Sequence, residues 1–170
     1  MAPVTLILGG ARSGKSSHAE HLAAETSPRR IYIATAQAFD DEMTARIADH
    51  QARRDSSWQT VEAPLDLCAA IEAQAVPDRV VLVDCLTLWL SNLLLADRDI
   101  EDEADGLIAT LENAAGPLIL VSNEVGLGIV PDNALARAFR DHAGRLNQQV
   151  AKAADKVVFL AAGLPMTLKG

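Results

Sequence analysis

Lys15 and Ser16 close the run Gly9-Gly10-Ala11-Arg12-Ser13-Gly14-Lys15-Ser16, and the apolar residues 4–8 lead straight into it. A Gly-x-x-x-x-Gly-Lys-Ser loop set between a strand and a helix is a phosphate cradle. Its glycines let the backbone approach an anion closely, so successive amides and a helix N-terminus point at phosphate oxygens. In such a loop Lys15 directs a point charge at the β- and γ-phosphates of a nucleoside triphosphate, and Ser16 offers a hydroxyl to Mg²⁺. The alternative, a glycine turn that merely joins strand to helix, is disfavoured because strand and helix flank the motif as its mechanics demand.

A carboxylate to complete that site follows the hydrophobic run Val80-Val81-Leu82-Val83, namely Asp84. At the carboxyl end of a parallel strand it can reach the metal held by Ser16. Its other reading is a cap on the helix that follows. A second group able to do chemistry is His50, in a segment that begins with Asp40-Asp41-Glu42 and ends with Arg53-Arg54. Acids at the start and bases at the end mark a helix. Arg46 precedes His50 by four residues, and Arg53 and Arg54 follow by three and four, so guanidinium groups can surround the imidazole. Such neighbours disfavour its protonation and leave a ring nitrogen free to attack phosphorus. The alternative is that His50, spaced with Met43 and Ile47, is the edge of an apolar helix face.

The elements that must position these groups alternate along the chain. Strands are expected at 4–8, 31–35, 80–83, 118–122 and 157–161, with a short one at 58–62 and a terminal hairpin strand at 164–168. Helices are expected at 15–25, 41–54, 65–74, 86–96, 101–113 and 133–154. Alternation of this kind predicts an α/β fold with a mostly parallel sheet flanked by helices. Strands that are apolar throughout are covered on both faces. At 170 residues and 49% hydrophobic, the chain has material for one core. It is expected to form a single nucleotide-binding catalytic domain over residues 1–170. Its net charge of −8 argues against nucleic acid as a partner, because phosphate backbones are held by basic surfaces. Cys68 and Cys85 make neither a metal spacing nor a disulfide framework and read as reduced thiols. Residues 86–96 are too short to span a bilayer and read as a core or interface helix. Met1-Ala2-Pro3 enters the first strand without a charged leader, so the expected location is the cytoplasm.

Several stretches together resemble the bifunctional adenosylcobinamide kinase / adenosylcobinamide-phosphate guanylyltransferase family of cobalamin biosynthesis. They are the loop Gly9 to Ser16, Tyr32-Ile33-Ala34-Thr35, Asp40-Asp41-Glu42-Met43 with Arg46-Ile47 and His50, Asn123-Glu124-Val125-Gly126-Leu127-Gly128-Ile129-Val130-Pro131, and Phe139-Arg140-Asp141 followed by Ala143-Gly144-Arg145-Leu146-Asn147-Gln148. The likeness covers nearly the whole length. It implies a P-loop NTPase fold of the RecA-like kind, with a C-terminal antiparallel hairpin strand, and two reactions on one corrinoid side chain. In the first, ATP or GTP phosphorylates the hydroxyl of adenosylcobinamide. In the second, the histidine matching His50 attacks the α-phosphorus of GTP, releases pyrophosphate and hands GMP to adenosylcobinamide phosphate. The resemblance further implies Mg²⁺ at Ser16 and Asp84, catalytic roles for His50 and Lys15, and a homotrimer. Nucleotide contacts are implied at the loop, Thr35-Ala36-Gln37, Ala52-Arg53-Arg54-Asp55, Glu62 and Asp84. From the residues alone, a simple P-loop small-molecule kinase without nucleotidyl transfer, with a structural His50, is the alternative. Glu124, after the strand at 118–122, is left between two roles: orienting a hydroxyl or metal, or stabilising the glycine-rich turn.

Overall fold

The computed structural model describes residues 2–37, 41–52 and 54–170; the side chains at 42, 46, 49 and 50 also fall outside the description. Seven strands form one sheet in the order β3-β2-β4-β5-β1-β6-β7. They are β1 (Val4–Gly9), β2 (Arg30–Ala34), β3 (Trp58–Glu62), β4 (Val80–Asp84), β5 (Leu118–Asn123), β6 (Lys156–Ala161) and β7 (Leu164–Lys169). Every pairing is parallel except β6 with β7, which is antiparallel. The connecting helices are α1 (Lys15–Thr26), α2 (Asp41–Ala52), α3 (Leu67–Gln74), α4 (Leu86–Leu95), α5 (Ile100–Glu112) and α6 (Ala134–Ala153). Each expected element is present, with ends moved by one or two residues among those described.

The central strands are apolar on both faces because both faces are covered. Leu6, Leu8, Ile31, Ile33, Val81, Val83, Leu118 and Leu120 enter one cluster, packed with α3, α4, α5 and α6. Their strand neighbours Ile7, Tyr32, Val80, Leu82, Ile119 and Val121 enter a second, with Ala19 and Ala23 of α1. Alternate residues thus serve opposite layers, as the period of two demands. The outer strands differ: β3 is only partly covered, and all six residues of β7 are exposed. A proline in β7 is compatible with that edge position. Helix α4 resolves to a core helix. Leu86, Trp89, Leu90 and Leu93 are buried, and each such side chain contributes about 1.5–3 kcal/mol. Only Leu95, at its end, stands exposed.

One polar residue of α4 is also buried. Asn92 Nδ2 donates to the carbonyls of Thr35 at 2.7 Å and Pro64 at 2.9 Å, so it ties the exits of β2 and β3 to the helix beneath them. Replacing it by leucine keeps the volume but strips a donor from two carbonyls. Asn92→Leu should therefore destabilise the protein by about 2–4 kcal/mol, seen as a fall in Tm of roughly 5–15 °C in a thermal melt. A Tm unchanged within about 2 °C would show that these carbonyls find other partners.

Candidate functional site

Parallel strands bring their carboxyl ends to one edge, and the cradle lies there. Gly9 is in register with Asn123 of β5 and Leu160 of β6; Ala34 is in register with Asp84 and Glu62. From β1 the loop turns into α1, whose N-cap is Gly14 in the left-handed region at φ 97°. A Cβ on Gly9 would come within 2.6 Å of both the Leu160 carbonyl oxygen and Ser13 Oγ, so only glycine lets the loop leave the strand here. The loop is braced from two sides. Glu124 N–H donates to the Gly9 carbonyl at 2.9 Å, and Gly163 N–H, from the β6–β7 turn, donates to the Ser13 carbonyl at 2.9 Å.

The start of α1 carries no side-chain cap and no acid in its first turn. Helix α5 has both: Asp99 accepts from the amides of Glu101 and Asp102, and Glu101, Asp102 and Glu103 line its first turn. The amides at the start of α1 therefore keep their positive end for a ligand. Lys15 is buried, and its ammonium donates to the Gly10 carbonyl at 2.5 Å with Ser13 Oγ at 3.5 Å. Burial pulls its pKa below the ordinary lysine value, against the opposing influence of Asp84. A desolvated ammonium in this position gains from an incoming polyanion.

Asp84 reaches the loop directly. Its Oδ2 accepts from Ser16 Oγ at 2.9 Å and from Tyr32 OH at 3.0 Å. Burial and the neighbouring Asp84 keep the Tyr32 phenol protonated, and hence a donor. Hydroxyl and carboxylate oxygens side by side are the hard donors that Mg²⁺ prefers, so the residues fit that ion. The helix-cap alternative for Asp84 is not realised: the N-cap of α4 is Cys85, which makes no side-chain cap bond. Burial pushes the Cys85 thiol up to about 12, so it is not a competing nucleophile.

The other expected contacts are distributed along the same edge. Thr35 is buried, and its Oγ1 both donates to the Cys85 carbonyl at 2.7 Å and accepts from the Cys85 N–H at 2.8 Å. It locks β2 to β4 where each leaves the sheet. Ala36 and Gln37 follow, half-buried. Glu62 ends β3, exposed. Ala52 ends α2, exposed, and Asp55 is exposed with its carboxyl held below the usual range by bonds from Ser57. The Arg54 guanidinium lies 3.6 Å from the centre of the Tyr32 ring, and its Nη1 is buried with no hydrogen-bond partner among the described residues. Position 50 falls within α2. The expected ring of guanidiniums around it involves the side chains of Arg46, His50 and Arg53, which lie outside the described residues.

Tyr32 and Asn147 also belong to this edge and were not singled out by residue type and spacing. Tyr32 is the chain's single tyrosine, set between the aliphatic Ile31 and Ile33; its polar tip was the available signal.

Comparison with known proteins identifies the family and the fold. The sequence model of the cobinamide kinase / cobinamide phosphate guanyltransferase family, CobU, matches residues 5–168. The bifunctional adenosylcobalamin biosynthesis protein CobP of Pseudomonas aeruginosa is 54% identical over 97% of this chain and 96% of its own length. The corresponding CobU proteins of Salmonella typhimurium and Escherichia coli are each 44% identical over 96% of this chain and 98% of their own. Among solved structures, the type III secretion ATPase EscN of enteropathogenic E. coli superposes with a TM-score of 0.61 at 10% identity, over 95% of this chain and 43% of its own. A second type III secretion ATPase gives 0.59 at 10% identity, over 97% and 56%. These two show a shared P-loop NTPase fold. The family match, spanning nearly every residue from β1 into β7, makes this chain a member of the cobinamide kinase / cobinamide phosphate guanyltransferase family.

Proposed function

We propose that this protein phosphorylates the hydroxyl of adenosylcobinamide with ATP or GTP, then transfers GMP from GTP through His50 to adenosylcobinamide phosphate, yielding adenosylcobinamide-GDP and pyrophosphate. The observation that carries the reading is the Ser16–Asp84 contact beside the buried Lys15, in a chain matched to its family from residue 5 to residue 168.

In the first reaction the loop amides from Gly9 through Ser16 hold the β- and γ-phosphates and Lys15 offsets their charge. Ser16 and Asp84 would hold Mg²⁺, which when bound neutralises charge between the β- and γ-phosphates. The acceptor oxygen forms a bond to the γ-phosphorus as the bond to the β-phosphate oxygen breaks. In the second reaction a neutral His50 nitrogen attacks the α-phosphorus, pyrophosphate leaves, and the phosphoramidate then gives GMP to a phosphate oxygen of the corrinoid. Two displacements replace one difficult one. Arg54, with an unspent buried donor, suits a phosphate oxygen; family membership supports further nucleotide contacts at Thr35-Ala36-Gln37, Ala52, Arg53, Asp55 and Glu62. GTP as the second substrate rests on family membership.

We further infer one catalytic domain over residues 1–170, working in the cytoplasm as a homotrimer. Support for association comes from the segment after β5, where Leu127 is 83% and Ile129 97% exposed, and from an adjoining groove of about 260 Å³ lined by Leu94, Leu95, Leu135 and Phe139. Apolar side chains this exposed mark contact surfaces. No helix among the described residues is long and apolar enough to cross a membrane.

Incubation with α-labelled GTP should leave an acid-labile, base-stable label, one per chain, that His50→Ala abolishes while the kinase reaction continues; an unlabelled wild type would remove the nucleotidyl half. Asp84→Asn should keep the fold yet lower kinase kcat by about 100-fold or more and raise the Mg²⁺ concentration needed for half-maximal rate. Unchanged Mg²⁺ dependence would place the metal elsewhere. Light scattering should return three times the mass of one chain, and Ile129→Asp should shift it toward the monomer if this segment is the interface.

A further inference from the structure

Phosphoryl transfer to an alcohol needs a group to take the hydroxyl proton as the new oxygen–phosphorus bond forms. Resting on the kinase reading above, the choice lies among carboxylates at the carboxyl edge of the sheet: Glu62 at the end of β3, Asp84 at the end of β4 and Glu124 just past β5. Glu62 stands four strand spacings from β1, roughly 19 Å away. Asp84 already accepts from Ser16 and Tyr32. Glu124 follows the strand beside β1, and its own N–H is bonded to the first glycine of the loop.

The end of β5 is held by means other than the sheet. Its ladder with β4 ends at Asp84 opposite Val121, whereas its ladder with β1 runs on to Gly9 opposite Asn123. Ser122 and Asn123 thus overrun β4. Thr87 Oγ1 accepts from the Asn123 N–H at 2.7 Å, and Asn147 Nδ2 donates to the Asn123 carbonyl at 3.2 Å. Ser122 Oγ donates to Asn147 Oδ1 at 2.6 Å and lies 3.4 Å from Thr87 Oγ1. Thr87, Ser122 and Asn147 are all buried. Burying three polar side chains is tolerable only because each is paired, and between them they satisfy both backbone groups of Asn123. A strand ending at Val121 would need none of them; an extended one delivers Glu124 beside the loop. One carboxylate oxygen of Glu124 accepts from Gly126 N–H at 2.5 Å. The other has no hydrogen-bond partner among the described residues.

We propose that Glu124 is the general base of the phosphoryl-transfer reaction, with Thr87, Ser122 and Asn147 as its positioning residues. The acceptor oxygen bonds to the γ-phosphorus, the bridging bond breaks with its electron pair leaving on the nucleoside diphosphate, and the hydroxyl proton passes to the free oxygen of Glu124 and then to water.

Glu124→Gln keeps an oxygen for Gly126 N–H, so it preserves the turn while removing the base. Steady-state assay with adenosylcobinamide and ATP should show kcat reduced by about 10²–10⁴ with the KM for ATP within about threefold of wild type. Labelling from α-labelled GTP should continue at the wild-type rate. Asn147→Ala should lower kcat about tenfold without moving the KM for ATP, and adding it to Glu124→Gln should bring no further loss, because both act through one carboxylate. A Glu124→Gln variant with wild-type kcat, or one that also loses labelling, overturns the proposal. A wild type that phosphorylates no cobinamide sinks the kinase reading and this inference with it, whereas an active wild type beside an equally active variant sinks this inference alone.

Discussion

One carboxylate oxygen joins the parts of this site. Asp84 Oδ2 receives the hydroxyl of Ser16 from the first turn of α1 and the phenol of Tyr32 from β2, while its own backbone ends β4. Hydrogen bonds to a charged group contribute about 1.5–3 kcal/mol each, but the larger consequence is geometric. That joint ties the first turn of α1 directly to the strand that carries the acid, in addition to the braces that Glu124 and Gly163 give the loop. The loop needs such a joint because it has few internal bonds: Ser13 N–H to the Gly10 carbonyl at 3.3 Å is a long one, and the Lys15 ammonium is itself folded onto the loop.

The order of strands explains why the joint must reach so far. Asp84 is not on a neighbour of β1, since β5 lies between them. Two strand spacings, roughly 10 Å, separate the strand that starts the loop from the strand that carries the acid. Helix α1 crosses that gap over the face of the sheet, packing Ala19 and Ala23 against Val121, Ile119 and Leu82. Small residues allow the close approach that lets Ser16 meet Asp84. The intervening strand then has to end between two functional groups, and the buried set Thr87, Ser122 and Asn147 is the means by which it does so.

What was legible in the sequence was local. The loop carries its mechanism in eight consecutive residues, the strands announce themselves as apolar runs, and Asp84 is marked by the run before it. The terminal hairpin strand was legible as well, and its turn at Ala162 and Gly163 has φ values of 52° and 79° that suit the twist of paired strands. What was illegible depends on strand order. Thr35 meets Cys85 fifty residues away, Asn92 meets Thr35 fifty-seven away, and Tyr32 meets Asp84 across fifty-two. No pattern of spacing encodes such pairs, because they exist only once β2 and β4 are neighbours. Likewise residues 86–96 are apolar enough for either a core or an interface, and only the layer of helices around them decides for the core.

The segment just beyond α2 is tied back to the sheet edge that holds the phosphate loop. The Arg54 guanidinium rests on the Tyr32 ring at 3.6 Å, Tyr32 gives its hydroxyl to Asp84, and Asp84 accepts from Ser16. Tyr32 is steadied in turn by the edge of Trp58, with ring centroids 6.2 Å apart, and Trp58 by the Arg30 guanidinium. A cation over an aromatic face holds more strongly when both are desolvated, as Tyr32 is here. The exit of α2 is thereby coupled to the same carboxylate that orders the phosphate loop. Drawing Arg54 onto a phosphate would break its contact with Tyr32, whose hydroxyl is bonded to Asp84.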